Sequence, residues 1–200
     1  MTDLFKEKAK EWDQNSLVAQ LSKAISQSII DEVALHPQMH VLDFGAGTGM
    51  ITSKIAPYVQ KVTAVDVSQA MLEQLLAKQE LKGKVEILCQ NMVHVPTGEF
   101  YDLIMSAMAM HHVEDTEKMI AQFAEHLKAG GQVALADLDE EDGSFHPAGT
   151  QGVFHSGIRR DYLQGLLETY GFEQVRFVTA FEAVKETNTY PIFLALATKA

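Results

Sequence analysis

Two aspartates bracket a glycine-rich turn. Asp43 stands two residues before Gly45 in the string VLDFGAGTG, and Asp66 closes the next apolar run, nineteen residues after Gly47. Gly45, Gly47 and Gly49 let the backbone approach a ligand closely, and the helix that should follow offers free amide donors at its N-terminus. An acid at position 66 suits the two hydroxyls of a ribose. A dinucleotide enzyme would use the same pair of features, but its GxGxxG fingerprint needs a third glycine where this chain has Met50. The spacing is GxGxG instead. A carboxylate at Asp43 would also repel a pyrophosphate and attract an ammonium group.

A second set of residues could move protons. The run YDLIMSAMAMHHVED puts Ser106, His111 and His112 near the same ligand-facing edge, and a histidine near neutral pH is a natural acid or base. Packing or loop anchoring is the competing role for His111 and His112. Further on, Asp137, Asp139, Glu140, Glu141 and Asp142 precede His146 and His155. Their spacing matches no defined metal motif, so the acids read as a water-facing loop and no metal is expected. The stretch SFHPAGTQGVFHSG has the glycines, aromatics and histidines of a movable cover, with Phe145, Phe154 and His155 facing a substrate. Trp12 and Asp13 stand in an N-terminal segment whose role, cover or surface anchor, the sequence leaves open.

These side chains need a frame, and the chain supplies an alternation of strands and helices. Apolar residues at three- and four-residue steps between Leu17 and Leu35 predict an amphipathic helix ended by Pro37. Strands are expected at 40–44, 61–67, 85–89, 101–106, 132–138, 175–181 and 192–197. Between them lie helices starting near Ile51, Ser68, Thr116 and Leu163, with Thr116 as the cap, and Gly130 and Gly131 as the stop, of the third of these. Cys89 falls in a run that reads as a buried strand. The pattern is that of a mainly parallel sheet covered on both faces, with the last two strands pairing antiparallel at an edge.

Composition narrows the functional classes. Two hundred residues with 46% hydrophobic content fit one domain, and a formal net charge of -11 argues against a nucleic-acid partner. The single cysteine forms no internal disulfide, which suits a reducing cytoplasm. No run of membrane-spanning length and no secretory leader is read, so neither membrane nor export is expected. The nine methionines, Met105, Met108 and Met110 among them, are expected to fill core gaps.

Taken together, VLDFGAGTG, VTAVDVSQAML, VEILCQNM, YDLIMSAMAMHHV and LKAGGQVALADL resemble the class I S-adenosylmethionine-dependent methyltransferases, particularly the small UbiE-like, methyltransferase-11/12/25-like group. The likeness covers roughly residues 38–140. It implies a Rossmann-like α/β fold, a seven-stranded mainly parallel sheet with helices on both faces and its last strand antiparallel. The single domain 1–200 would then divide into an N-terminal helical cover (1–36), a cofactor-binding core (38–140) and an acceptor-side loop with the C-terminal helix and strands (141–200). The resemblance further implies that S-adenosylmethionine is the cofactor. Asp43, Gly45, Ala46 and Gly47 would hold its methionine part, Asp66 its ribose, and Val67 and Met71 its adenine. The family usually has an acid after the third strand; here it is Asn91, whose amide oxygen still accepts a hydrogen bond, with Met92 beside it. Ser106 joins this set. The acceptor would be a small molecule, with His111, His112 and His155 as the candidate catalytic groups. A nucleotide-dependent oxidoreductase, or a cofactor-binding regulatory protein without turnover, remains the alternative at this stage.

Overall fold

The computed structural model describes residues 3–200. Residues 1 and 2 of the expected N-terminal cover lie outside the described residues. One sheet runs through the molecule. β1 (His40–Phe44) lies between β2 (Lys61–Asp66) and β4 (Tyr101–Ala107), all parallel, and β3 (Val85–Cys89) and β5 (Leu127–Leu138) extend it on either side. β7 (Asn188–Lys199) inserts antiparallel between β5 and the edge strand β6 (Phe172–Lys185), so the order is β3-β2-β1-β4-β5-β7-β6. The reason for that reversal is local. Lys185 pairs with Asn188 across a two-residue turn, too short for the crossover that a parallel partner requires.

Helices cover both faces because strand residues alternate between them. Val41, Leu103 and Met105 point to a core shared with α1 (Ser16–Glu32), α2 (Met50–Ile55) and α3 (Gln69–Ala77). Leu42, Phe44 and Ile104 point the other way, toward α4 (Thr116–His126) and α5 (Arg160–Thr169). In α1 the buried positions Leu21, Ile25 and Ile29 repeat every four residues, and the Asn15 side chain caps the helix by accepting from the amides of Leu17 and Val18. Ile25 and Ile29 are almost wholly buried, and truncating either to alanine would cost about 2–5 kcal/mol.

Several local expectations need correction. α1 ends at Glu32, before Pro37, with the Val33 amide closing on the Ile29 carbonyl. Asp115, not Thr116, caps α4, its carboxylate accepting from the Lys118 amide at 2.8 Å. Gly130 and Gly131 do not stop α4 either. The helix ends at His126, and both glycines sit inside β5, where the register against β4 shifts between Tyr101 and Leu103. A Cβ at Gly131 would meet the Lys128 carbonyl oxygen at 2.9 Å, so the bulge itself demands glycine. Cys89 is exposed, because β3 is an edge strand with only one neighbour.

Candidate active site

The sheet order reverses between β1 and β4, and the crevice outside their carboxyl ends is where α/β sheets bind ligands. A cavity of about 920 Å³ opens there. Its floor is the glycine turn. Gly45 has φ of +70°, and a Cβ on it would lie 2.3 Å from the Ala109 Cβ, so the turn after β1 and the turn after β4 touch only because residue 45 has no side chain. Gly47 also lines the cavity; a Cβ there would meet no atom within 4 Å, which leaves its backbone open to a ligand.

Asp43 and Asp66 both line this cavity. Asp43 is 2% exposed, and its only described side-chain bond comes from the Thr52 hydroxyl. Burial, partly opposed by that bond and reinforced by the charge of Asp66, pushes its pKa up to about 7. Asp66 is held by two amides, Gly47 N–H on Oδ2 and Ser68 N–H on Oδ1, both at 2.8 Å. Burial raises its pKa as well, against the pull of those amides. Neither acid forms an ion pair among the described residues, and a buried carboxylate without a cationic partner is costly. Two acids without cationic partners on one cavity wall suit a ligand with cationic and hydroxyl groups, and the ammonium and ribose of S-adenosylmethionine fit that description.

The other expected cofactor residues sort clearly. Ala46, Val67, Met71, Asn91 and Met92 line the cavity with the glycine turn. Ser106 does not: it is buried between β4 and β1, donating to the Phe44 carbonyl at 3.0 Å. The Asn91 side-chain oxygen already accepts from the Val93 amide at 3.1 Å and keeps one lone pair. The N-terminal segment closes the cavity from above. Trp12 stacks edge-on with Phe5, whose ring meets His112, and Asp13 accepts from the Thr48 hydroxyl while pairing with Lys78. Trp12 lines the cavity together with Leu4 and Phe5.

At the opposite end three histidines converge. The carboxylate of Asp137 is fully buried and accepts from His111 Nδ1–H at 2.5 Å, from the His111 amide at 3.1 Å and from the Leu138 amide at 2.8 Å. His111 Nε2 lies 3.2 Å from His146 Nε2. His112 stacks on His111 and donates from Nδ1 to the Gly152 carbonyl at 2.6 Å. Burial first, then the neighbouring His111, lowers the pKa of both His112 and His146 to about 4. Phe145, Phe154 and Lys185 line the same end. His155 lies outside this cavity, in a smaller hollow of about 370 Å³, donating to the Val113 carbonyl at 2.9 Å.

The acidic run is not a uniform solvated loop. Asp137 is the partner of His111, Asp139 grips Arg160 with both oxygens, and Glu141 accepts from the amides of Ser144 and Phe145. The sequence offered one overlooked signal for the first of these: Asp137 is the sole charge in the apolar stretch Val133 to Leu138. His146 had no comparable signal, because its partner stands 35 residues away.

Comparison with known proteins agrees with this geometry. The profile of a methyltransferase domain family matches residues 41–131. An uncharacterized methyltransferase of Geobacillus kaustophilus is 31% identical over 80% of this chain and 83% of its own. Among solved structures, a SAM-dependent methyltransferase from Aquifex aeolicus superposes with a TM-score of 0.72 and 22% identity over the full length of both chains. The N-methyltransferase NodS of Bradyrhizobium japonicum, in complex with S-adenosyl-l-homocysteine, gives 0.73 and 17% over 98% of this chain and 94% of its own. Both likenesses speak for the fold.

Proposed function

From this chain's membership of the class I S-adenosylmethionine-dependent methyltransferases, we propose that it transfers a methyl group by direct displacement to a small-molecule acceptor. The observation that carries the reading is the pair Asp43, buried, and Asp66, half-buried, both without cations beside an open glycine backbone. S-Adenosylmethionine supplies a methyl group already activated on a sulfonium, so the chain needs no nucleophile of its own. Its task is to orient and to exclude water. Asp43 and the backbone of Gly45 to Gly47 hold the methionine part, Asp66 the ribose, and Val67, Met71, Asn91 and Met92 surround the adenine. All of these cofactor residues fall in the core 38–140.

The acceptor occupies the end lined by Phe5, Trp12, Phe145 and Phe154, between the N-terminal cover and the 141–200 part. Its body is apolar, because aromatic rings dominate that wall. No helix among the described residues is long and apolar enough to cross a membrane, and the exposed, unpaired Cys89 fits a cytoplasmic setting. Calorimetry tests the reading: S-adenosylhomocysteine should bind and NAD should not, since Asp43 opposes a pyrophosphate. Tight NAD binding with no response to S-adenosylhomocysteine would end it.

A further inference from the structure

We propose that Asp137, His111 and His146 form a proton relay that deprotonates the methyl acceptor, with His146 as the catalytic residue and the other two as positioning residues. This rests on the methyltransferase reading above and adds to it a class of acceptor: one whose reacting oxygen or nitrogen bears a hydrogen lost during transfer.

The geometry carries the inference in three steps. Asp137 accepts from three donors, two of them on His111, so its carboxylate fixes both the ring and its tautomer: Nδ1 bears the proton and Nε2 is the free base. That free nitrogen points at His146 Nε2 across 3.2 Å, a distance that requires one proton between the two rings. In the resting neutral pair the proton sits on His146 Nε2. His111 and His146 both line the cavity, but His111 is only 1% exposed whereas His146 is half-buried and offers the more open ring. The acceptor therefore meets His146 first.

A buried histidine and aspartate are a poor way to stabilise a fold, since apolar residues of the same volume do as well or better. Proton storage gives them a reason to be there. As the acceptor lone pair attacks the methyl, the carbon–sulfur bond breaks and its electrons return to sulfur. The acceptor's proton passes to His146 Nδ1, and the Nε2 proton of His146 passes to His111. The resulting imidazolium is paired with the Asp137 carboxylate, so the relay gains one proton while the donor loses its positive charge. The relay holds no second proton readily, because burial and the charge on His111 keep His146 neutral. His112 is the control within the cluster. Its Nδ1–H is committed to the Gly152 carbonyl, so it anchors the 145–154 loop. The charged and titratable groups facing the relay are Asp137 from β5, His112 beside it, and Lys185 from β6, whose ammonium donates to the Phe145 carbonyl.

The test uses the full chain with S-adenosylmethionine and three probe acceptors, phenol, benzylamine and thiophenol, following S-adenosylhomocysteine formed. H146A should lose about 100-fold or more in transfer to phenol and benzylamine, with its acid limb in the pH profile removed and activity restored by added imidazole. Thiophenolate, already ionised, should be affected least. The imidazole nitrogens of the ¹⁵N-labelled chain are read in parallel, independently of any probe. His111 should show a protonated Nδ1 and a hydrogen-bonded Nε2, and the latter signal alone should vanish in H146A. A bare Nδ1 on His111, or an H146A enzyme equal to the wild type on all three probes, would overturn the relay. Failure to bind S-adenosylhomocysteine would fault the methyltransferase reading instead.

Discussion

The two ends of the cavity are built by opposite means. At the cofactor end, backbone geometry sets the shape: the amides of Gly47 and Ser68 hold Asp66, and Gly45 can approach Ala109 because it has no side chain. At the acceptor end, side chains from β5, the turn after β4 and β6 make the contacts, reaching one another and the 145–154 loop across 26 to 40 residues. Backbone geometry suits a ligand common to many enzymes, while side-chain geometry suits one that differs among them. The contrast has consequences that can be measured.

The largest effect should fall on Asp43. Its raised pKa, about 7 against 3.8, means that the folded chain keeps a proton that the unfolded chain has released between those values. Stability of the free protein should therefore fall as pH rises from about 4 to 7. A cationic ligand restores the ionised form, so affinity for S-adenosylhomocysteine should rise as pH climbs through about 7, with a proton released on binding. Asp43→Asn keeps an acceptor for Thr52 and removes the charge. It should raise the thermal midpoint of the free protein at pH 8 while weakening the ligand by at least about a hundredfold, as expected for losing one partner of a buried ion pair. Calorimetry in two buffers of different ionisation enthalpy measures the proton. Unchanged affinity would place the ammonium elsewhere.

Asp66 should matter next. Asp66→Ala removes charge-assisted bonds to the ribose worth roughly 1.5 to 3 kcal/mol, or about ten- to a hundredfold in dissociation constant. Asp66→Asn should be milder. The competing role, a cap for α3, is filled by Ser68, whose hydroxyl accepts from the Met71 amide at 3.2 Å. A lowered midpoint with normal affinity would still return Asp66 to a structural role.

This contrast also explains what could be read in the sequence. The glycine turn and its acids are legible because a turn, the strand end before it and the next strand end are local features with fixed spacing. All seven strands were expected, although β5, β6 and β7 run longer than their apolar centres suggested. Ser106 failed because strand position does not say which way a hydroxyl bonds. His155 failed for a related reason: a ring one residue past the cavity-lining Phe154 can face another hollow. The relay was illegible as a unit. Asp137 and His111 each carry a signal in their own segments but none that links them, and only the parallel pairing of β4 with β5 brings the two together.

The smallest effect should come from the tie between the two ends. The N-terminal segment lines the acceptor end with Phe5 and Trp12, yet its Asp13 accepts from the Thr48 hydroxyl of the glycine turn at 2.5 Å and pairs with Lys78 after α3 at 2.8 Å. Thr48 is 2% exposed, so its bond is shielded from water; the Lys78 pair is partly exposed and worth less. Asp13→Ala removes both contacts but no group from the cavity wall. Loss of about 1 kcal/mol from the closed cover corresponds to roughly a fivefold faster release of S-adenosylhomocysteine, with association little changed. Stopped-flow displacement, with Trp12 fluorescence as the reporter, measures that rate directly. Release at the wild-type rate would show that the cover is held by the apolar contacts of Phe5 and Trp12 alone, and Asp13 would then be a surface residue with a neighbour.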